Sequence, residues 1–286
     1  MKNRKIIQIV AAHEVTEGAG VSVFRSIGTP ARRNLDPFLM LDQFSTSDPD
    51  DYIAGFPDHP HRGFNTFTYM IDGHMRHGDS MGNRGDLGPG GAQWMKAGSG
   101  VIHSEMPQQE SGLMRGFQLW INLPAEQKMT APEYQDIQPQ AIPEVNKDGV
   151  TVRLIAGTFD GQQGPVSDPN TGFHFLDVLL QNGSRYVQFL PENHTAFIYL
   201  FGGTVMVGDQ RLEEQQLAVL DDGEQVTITA DNDSARFLLV AGRAIGEPIV
   251  QYGPFVMNTR DEIEQALADY RDDKLVQTRA NMINRS

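Results

Sequence analysis

Short apolar runs, separated by clusters of turn-forming residues, are the feature that most constrains the fold of this chain. The breaks are rich in Gly, Pro, Asn and Asp, and the chain contains 29 Gly and 16 Pro. Strands that are broken about every 8–12 residues are typical of an all-β sandwich or barrel. The candidate strands are residues 6–10, 21–26, 38–43, 66–71, 93–97, 116–123, 152–158, 173–180, 185–190, 195–201, 204–207, 216–220, 225–229 and 236–241.

The length and one Pro-rich segment predict two β domains. A chain of 286 residues suits one large or two medium domains, at roughly 100–200 residues each. Residues 123–148 are rich in Pro, Gln and Glu, and we expect an extended crossing between two halves there. The predicted domains are therefore 1–130 and 131–286.

One helix is predicted near the C-terminus. Thr259 and Glu262 have the spacing of a capping box, in which two side chains bond the free backbone N–H groups of the first turn. Helical periodicity then predicts one apolar face formed by Ile263, Ala266, Leu267 and Tyr270.

Charge and composition exclude several classes of function. The formal net charge of −14 argues against direct nucleic-acid binding, which needs a basic surface, but leaves a basic protein partner open. The chain has no Cys, so it has no disulfide, thiolate metal site or nucleophilic thiol. The apolar run 6–12 is short and is followed by His13 and Glu14, which indicates a strand and not a signal peptide. No apolar run approaches the roughly 20 residues of a membrane span, and we expect a cytoplasmic protein.

Two pairs of potential metal ligands stand out between residues 56 and 105. His59 and His61 form one pair, and His103 and Glu105 form the other. Residues two apart on a strand point to the same side, so both pairs can converge inside one small barrel. Imidazole and carboxylate ligands suit iron, manganese, nickel, copper or zinc. The lack of thiolate favours Fe(II) with open coordination positions, whereas zinc with four protein ligands would be a closed structural site.

The other histidines lack this pairing, and they are His13, His74, His77, His174 and His194. His74 and His77 follow Gly73, and we expect them on a turn or an exposed strand end, with a supporting contact to the metal ligands as the less favoured alternative. His194 stands alone in the second half, so that half is predicted to be a barrel without a metal.

Longer motifs around the ligand pairs point to a family. HPHRGF at 59–64, GPG at 88–90 and HSE at 103–105 closely resemble the pirin family of the cupin superfamily. LDPF at 35–38 and YGPFVMNT at 252–259 extend the resemblance over nearly the whole chain. The resemblance implies an all-β bicupin: two stacked double-stranded β-helix (jelly-roll) barrels with a C-terminal helix. It also implies one Fe(II) in the N-terminal barrel, held by His59, His61, His103 and Glu105, and a degenerate C-terminal barrel.

Two positions depart from the family pattern. Asn65 stands where the family usually has Glu, and Gly91 stands where it commonly has Asp. A lost carboxylate at Asn65 could change the hydrogen bonds around the metal ligands, so we expect it to affect catalysis more than metal binding.

The resemblance implies a metal-dependent dioxygenase. Bacterial pirins resemble quercetin 2,3-dioxygenases, which use dioxygen to open the ring of a flavonol, a small aromatic substrate, and release carbon monoxide. In such an enzyme Glu105, or a water on the metal, would take the proton of the substrate hydroxyl. The alternative is a non-enzymatic, iron-dependent and redox-sensing regulator that binds a protein partner. A third possibility is a metal-stabilised fold with another small substrate. An open cavity at the metal favours the enzyme, and a narrow mouth beside a charged patch favours the regulator.

Overall fold

The computed structural model describes residues 1–283, and β-strands dominate it. In the first part the elements are β1 Ile6–Ala11, β2 His13–Glu17, β3 Val21–Ile27, β4 Phe38–Thr46, a 3-10 turn Pro49–Asp51, β5 Phe56–His61, β6 Phe64–Asp72, β7 Met75–Asp79, β8 Arg84–Leu87, β9 Ala92–Lys96, β10 Val101–Pro107, β11 Met114–Asn122, α1 Ala125–Lys128 and β12 Glu133–Ile137. They are followed by a 3-10 turn Pro139–Ala141, β13 Glu144–Lys147, β14 Val150–Ala156, β15 Thr158–Phe159, β16 Gln162–Gln163, β17 His174–Leu180, β18 Arg185–Phe189, β19 His194–Gly202, β20 Val205–Val207, β21 Gln210–Leu212, β22 Gln216–Leu220, β23 Gln225–Ala230, β24 Ala235–Arg243, β25 Val250–Tyr252, β26 Phe255–Met257, α2 Arg260–Arg271 and β27 Asn281–Met282. The predicted all-β class with a C-terminal helix is confirmed.

The strands form two compact units, each a cupin barrel made from separate stretches of chain. The first barrel comprises residues 14–28, 38–139 and 245 onward, and the second comprises 1–13, 29–37 and 140–244. These units differ from the predicted division between residues 130 and 131. The N-terminal strand β1 belongs to the second barrel because it pairs with β22, and the segment after residue 245 belongs to the first.

Each barrel encloses its core between two sheets. The first barrel has an eight-stranded sheet in the order β2-β3-β4-β11-β6-β9-β12-β27 and a four-stranded sheet in the order β5-β10-β7-β8. The second has a seven-stranded sheet, β1-β22-β19-β24-β17-β14-β13, and a four-stranded sheet, β18-β23-β20-β21. Side chains on the facing sides of paired sheets interdigitate and are removed from water, which is the main stabilising term for such a fold.

The segment predicted as an extended crossing contains regular structure. Residues 123–148 include α1, β12 and β13 as well as the second 3-10 turn. Strand β12 pairs antiparallel with β9 and buries Tyr134 and Ile137, so it completes one side of the first barrel. The Pro-rich composition marked the turns, whereas β12 depends on pairing with the distant strand β9. Strand β13 forms a hairpin with β14, which follows it directly.

The capping box of α2 is confirmed, while its buried face differs in part from the prediction. The Thr259 hydroxyl accepts from the backbone N–H of Glu262, whose carboxylate accepts from the backbone N–H of Thr259. Leu267 and Tyr270 are 37% and 41% exposed. The buried positions are Ile263, Ala266 and Asp269. Neither helix in residues 1–283 has the length and apolar character needed to cross a membrane. The cytoplasmic location stays a prediction.

Candidate metal centre

Three of the four predicted ligands converge in the first barrel. Strands β5 and β10 are antiparallel neighbours, with His103 directly opposite His59 and Val101 opposite His61. The ring centroids of the three histidines lie 4.4 to 4.9 Å apart. One ring nitrogen from each of the three lies within 4.8 Å of the others. The spacing of two residues places His59 and His61 on one side of β5, and the pairing of the two strands brings His103 of β10 to them.

Several nitrogens of this cluster have no hydrogen-bond partner. Both ring nitrogens of His61 and Nε2 of His103 are buried without one. His59 Nδ1 lies 2.8 Å from the carbonyl oxygen of Pro57, which leaves its Nε2 for the cluster. Buried polar atoms are normally paired, so unpaired nitrogens that face one another indicate a group that binds them. Three imidazoles without thiolate fit a divalent transition metal.

Burial keeps two imidazoles of the cluster, those of His61 and His103, neutral. Burial, assisted by the neighbouring His59, lowers the pKa of His61 well below its usual value. Burial and the charges of the adjacent histidines do the same to the pKa of His103. A neutral imidazole presents the lone pair that a metal needs, so these two side chains suit metal binding.

Glu105 lies beside the three histidines without joining the group whose ligand atoms cluster within 4.8 Å. It is buried on β10, and the β5–β10 register shifts between His103 and Glu105. The hydroxyl of Thr68 donates to its Oε1 at 3.2 Å, and Gln118 Nε2 donates to its Oε2 at 2.8 Å. Both carboxylate oxygens are therefore held by side chains of the barrel interior.

His77 contacts a candidate metal ligand, which the sequence analysis gave only as the less favoured alternative. It was expected on a turn or exposed strand end, but it is buried on β7 with its Nδ1 3.1 Å from Nδ1 of His103. A metal on Nε2 of His103 requires the Nδ1–H of His103 to donate to His77, and this bond would orient the ligand ring. The signal was the alternation in β7, where Met75 and His77 are buried and Arg76 is exposed. His74 is exposed, as expected.

A cavity of about 560 Å³ opens beside His59 and His61. Its size lies within the roughly 300–1,000 Å³ range of small-molecule sites. The apolar part of its wall is formed by Met40, Phe56, Pro57, Trp120 and Pro254. The polar part includes Glu17, Arg25, Asp42, Gln118 and Gln251.

The polar wall contains a fixed ion cluster. Arg25 donates two hydrogen bonds to the Asp42 carboxylate, at 2.8 and 2.7 Å, and also lies 2.8 Å from Glu17 Oε1. Asp42 is buried, and its bidentate contact with a guanidinium is the geometry that restrains both groups best. The cavity wall thus places a charged pair, Arg25 and Asp42, next to the apolar side chains of Met40 and Trp120.

The residues that follow His61 attach the C-terminal hairpin to the site. The backbone N–H of Arg62 donates to the Pro254 carbonyl at 3.3 Å, and the Val256 N–H donates to the Arg62 carbonyl at 3.0 Å. Gly63 has a φ of +90°, and a Cβ there would overlap the Val256 carbonyl oxygen. Only glycine allows this close approach, which brings Pro254 to the cavity wall.

Two buried cations reinforce this attachment. The Arg62 guanidinium donates to Asp269 on α2 at 2.7 Å and to the Ser99 carbonyl at 2.6 Å. Lys128 donates to the carbonyls of Gly63 and Val256 at 2.8 and 3.0 Å, and burial lowers its pKa to about 8. Hydrogen bonds of Arg62 and Lys128 to distant parts of the chain therefore restrain the backbone that follows the candidate ligand His61.

The two departures from the family pattern lie on the surrounding sheet. Asn65 is buried on β6, in register with Lys96 and Ile121, and its Oδ1 has no partner. Gly91 closes the turn before β9, where its N–H donates to the Gly88 carbonyl at 3.0 Å. The effect of Asn65 on catalysis stays a prediction.

Comparison with known proteins identifies the family. The pirin family model matches residues 20–121, and the model of the pirin C-terminal cupin domain matches residues 175–276. A Pseudomonas aeruginosa protein, whose name assigns it provisionally to the quercetin 2,3-dioxygenases, is 50% identical over 280 residues, 95% of this chain and 98% of that protein. A pirin-like protein of Caulobacter vibrioides is 45% identical over 95% of this chain and 99% of its own length. A crystal structure of quercetin 2,3-dioxygenase from Acinetobacter baumannii superposes with a TM-score of 0.89 at 34% identity, covering 96% of this chain and 99% of that one. The chain belongs to the pirin family.

Proposed function

We propose that this pirin is an Fe(II)-dependent dioxygenase of the quercetin 2,3-dioxygenase type, which opens the ring of a flavonol with dioxygen and releases carbon monoxide. The observation that carries the proposal is the cavity of about 560 Å³ with His59 and His61 in its wall. A small aromatic molecule fits such a volume and would lie directly against the proposed metal ligands. The names of the Pseudomonas and Acinetobacter relatives support the same chemistry.

The proposed metal ligands are His59, His61, His103 and Glu105. The three imidazoles already face one another. Glu105 follows His103 by two residues on β10 and is buried, and we propose it as the acidic member of the set. Fe(II) is our assignment because the donors are nitrogen and oxygen, and the same donors also suit other divalent transition metals. When bound, Fe(II) supplies the redox chemistry by which dioxygen reacts with an organic substrate.

The protein contributes binding, orientation and proton transfer. Met40, Phe56 and Trp120 offer apolar contacts for the flat rings of a flavonol and exclude water from them. The Arg25–Asp42 pair lies next to this apolar wall, because Asp42 is two residues from Met40 on β4, and phenolic hydroxyls can be accommodated there. Glu105, or a water on the metal, would accept the proton of the substrate hydroxyl, and Thr68 and Gln118 hold the carboxylate in place.

The open cavity favours the enzyme over the second hypothesis, a non-enzymatic iron-dependent regulator. That hypothesis draws its support from the net charge of −14, which suits a basic protein partner. A regulator needs stoichiometric iron binding without turnover, so one assay separates the two functions.

The test is oxygen uptake with quercetin after anaerobic loading with Fe(II). Wild type should consume oxygen and release carbon monoxide, and His61→Ala should do neither. His194→Ala is the matched control because His194 lies in the second barrel. Iron bound at one ion per chain without oxygen uptake would contradict the enzyme and support the regulator. Activity that survives in His61→Ala would contradict the assigned site.

A further inference from the structure

The carboxylate of Glu105 is oriented by a side chain on another strand. Gln118 lies on β11 and donates from Nε2 to Oε2 of Glu105 at 2.8 Å. The second donor, the Thr68 hydroxyl, lies on the neighbouring strand β6 at a longer 3.2 Å. Gln118 therefore makes the shorter of the two side-chain contacts that hold the acidic group beside the histidine cluster.

The amide of Gln118 is itself fixed by Trp120. The indole Nε1 of Trp120 donates to Oε1 of Gln118 at 3.0 Å. An indole N–H can only donate, so the carbonyl oxygen of Gln118 must face Trp120 and its NH₂ group must face Glu105. The reversed amide would set two donors against each other at one end and two acceptors at the other. Trp120 therefore determines that the NH₂ end of the Gln118 amide contacts Glu105.

This chain of hydrogen bonds runs from the cavity wall to the carboxylate. Gln118 and Trp120 are two residues apart on β11, so they lie on the same side of the sheet, and both line the cavity. The indole ring packs against Phe64 and His61, with centroid distances of 4.4 and 5.2 Å. These contacts restrain the indole, and through it the amide of Gln118.

We propose that Trp120 and Gln118 form a relay of positioning residues that sets the orientation of Glu105, the acidic group of the metal centre. Gln118 acts directly on the carboxylate, and Trp120 acts only through Gln118. The inference rests on the proposed function, because it assigns the relay's purpose to the metal site proposed there.

The relay predicts a specific pattern of metal affinities. Gln118→Met removes both hydrogen bonds at similar volume, and Trp120→Phe removes the indole donor while keeping an aromatic ring. Each should weaken Co(II) affinity by about 10–100-fold, as is usual when a residue that supports a metal ligand is lost, and should alter the Co(II) absorption spectrum. The double variant should bind Co(II) no more weakly than Gln118→Met alone. The Phe ring still packs near His61, and Trp120 acts on Glu105 only through Gln118. Trp94→Phe is the matched control and should bind like wild type.

Additive losses in the double variant, or wild-type affinity and spectrum in Trp120→Phe, would overturn the relay. A crystal structure of metal-free Trp120→Phe provides a readout that needs no metal. In it, Gln118 should have left its position 2.8 Å from Glu105, and an unchanged contact would also overturn the inference. If wild type fails to bind Co(II) or Fe(II), the proposed function fails, and this crystal structure still decides the relay.

Discussion

The two barrels carry different buried residues on the edge strands of their four-stranded sheets. In the first, β5 is the edge strand of a four-stranded sheet and pairs with β10, so that His59 lies opposite His103. In the second, β18 occupies the same edge and pairs with β23, so that Tyr186 lies opposite Ile228. The position two residues after Tyr186, where the first barrel has a second ligand, is Gln188. One architecture thus carries a candidate metal centre in one copy and an ordinary interior in the other.

Both edge strands carry buried polar side chains, and the strands differ in whether those side chains have hydrogen-bond partners. The Tyr186 hydroxyl donates to Gln188 Oε1 at 2.6 Å. Gln188 Nε2 donates in turn to the carbonyls of Thr158 and Phe189, at 3.0 and 2.9 Å. His61, by contrast, has no partner at either ring nitrogen. On these two edge strands, the unpaired nitrogens of His61 distinguish the candidate metal centre from the paired polar groups of the second barrel.

The strongest test of the comparison removes an aromatic polar group at the equivalent position of each barrel. His59→Phe should abolish stoichiometric metal binding, with a loss in affinity of at least about 100-fold, because one of the facing imidazoles is gone. Tyr186→Phe should leave metal binding unchanged. Metal analysis after dialysis against Fe(II) or Co(II) gives the ratio for each variant. Equal ratios in the two variants would show that the barrels are not distinguished as we describe.

A second experiment introduces the three candidate histidine ligands of the first barrel into the second barrel. The triple substitution Tyr186→His, Gln188→His and Ile228→His reproduces the ligand register of the first barrel in the second. We expect the chain to take up about one further Co(II) ion, since ligand identity and geometry determine metal binding. Titration followed by absorbance would count the ions. A folded variant that still binds a single ion would mean that the surroundings of the first barrel, such as His77, are required as well.

A third comparison uses one leucine from the central strands of each barrel. Leu119 and Leu239 are fully buried, on β11 and β24 respectively. Either Leu→Ala change should cost about 2–5 kcal/mol in the free energy of unfolding of its barrel. Metal at about 100 times its Kd should restore about 2.7 kcal/mol to Leu119→Ala and nothing to Leu239→Ala, because the candidate ligands lie in the first barrel. Urea unfolding with and without Co(II) measures both values, and equal rescue would contradict the assignment.

The smallest effect concerns pH and belongs to the second barrel. Burial, with the nearby charges of His174, Arg243 and Arg4, lowers the pKa of His194 to about 4. The unfolded state takes up a proton near pH 6.5, before the folded state does, so stability is lost as the pH falls from about 6.5 to about 4. His194→Asn should reduce this slope by up to about one proton. Identical slopes for wild type and His194→Asn, measured by urea unfolding, would contradict the role of His194.

The candidate ligands could be found from sequence because their geometry is local. The spacing of His59 and His61, and of His103 and Glu105, placed each pair on one side of its strand, and only the pairing of the two strands had to be assumed. The hydrogen bonds of Glu105 could not be foreseen, since Thr68 and Gln118 reach it from two other strands. The burial of His77 was not predicted because its neighbours suggested a turn, although the alternation in β7 was available.

The division of the chain into barrels was harder to predict because it depends on contacts between distant residues. Nothing near Val256 indicates that its N–H will bond the carbonyl of Arg62 in the first barrel. Periodicity likewise placed Leu267 on the buried face of α2, whereas the buried position is Asp269, drawn inward by the Arg62 guanidinium. Local sequence patterns predict the secondary-structure elements, whereas contacts between distant residues determine how those elements are arranged.

The attachment of Pro254 and Val256 beside His61 has a consequence for how the protein is made. Synthesis proceeds from the N-terminus, and domains generally fold as units while the chain emerges from the ribosome. All four proposed ligands have emerged by residue 105, but the backbone that follows His61 acquires its partners only when residues 254–256 appear. Most of the second barrel, residues 140–244, is made in between. The nascent chain therefore contains its proposed ligands well before residues 254–256 can bond the backbone beside His61.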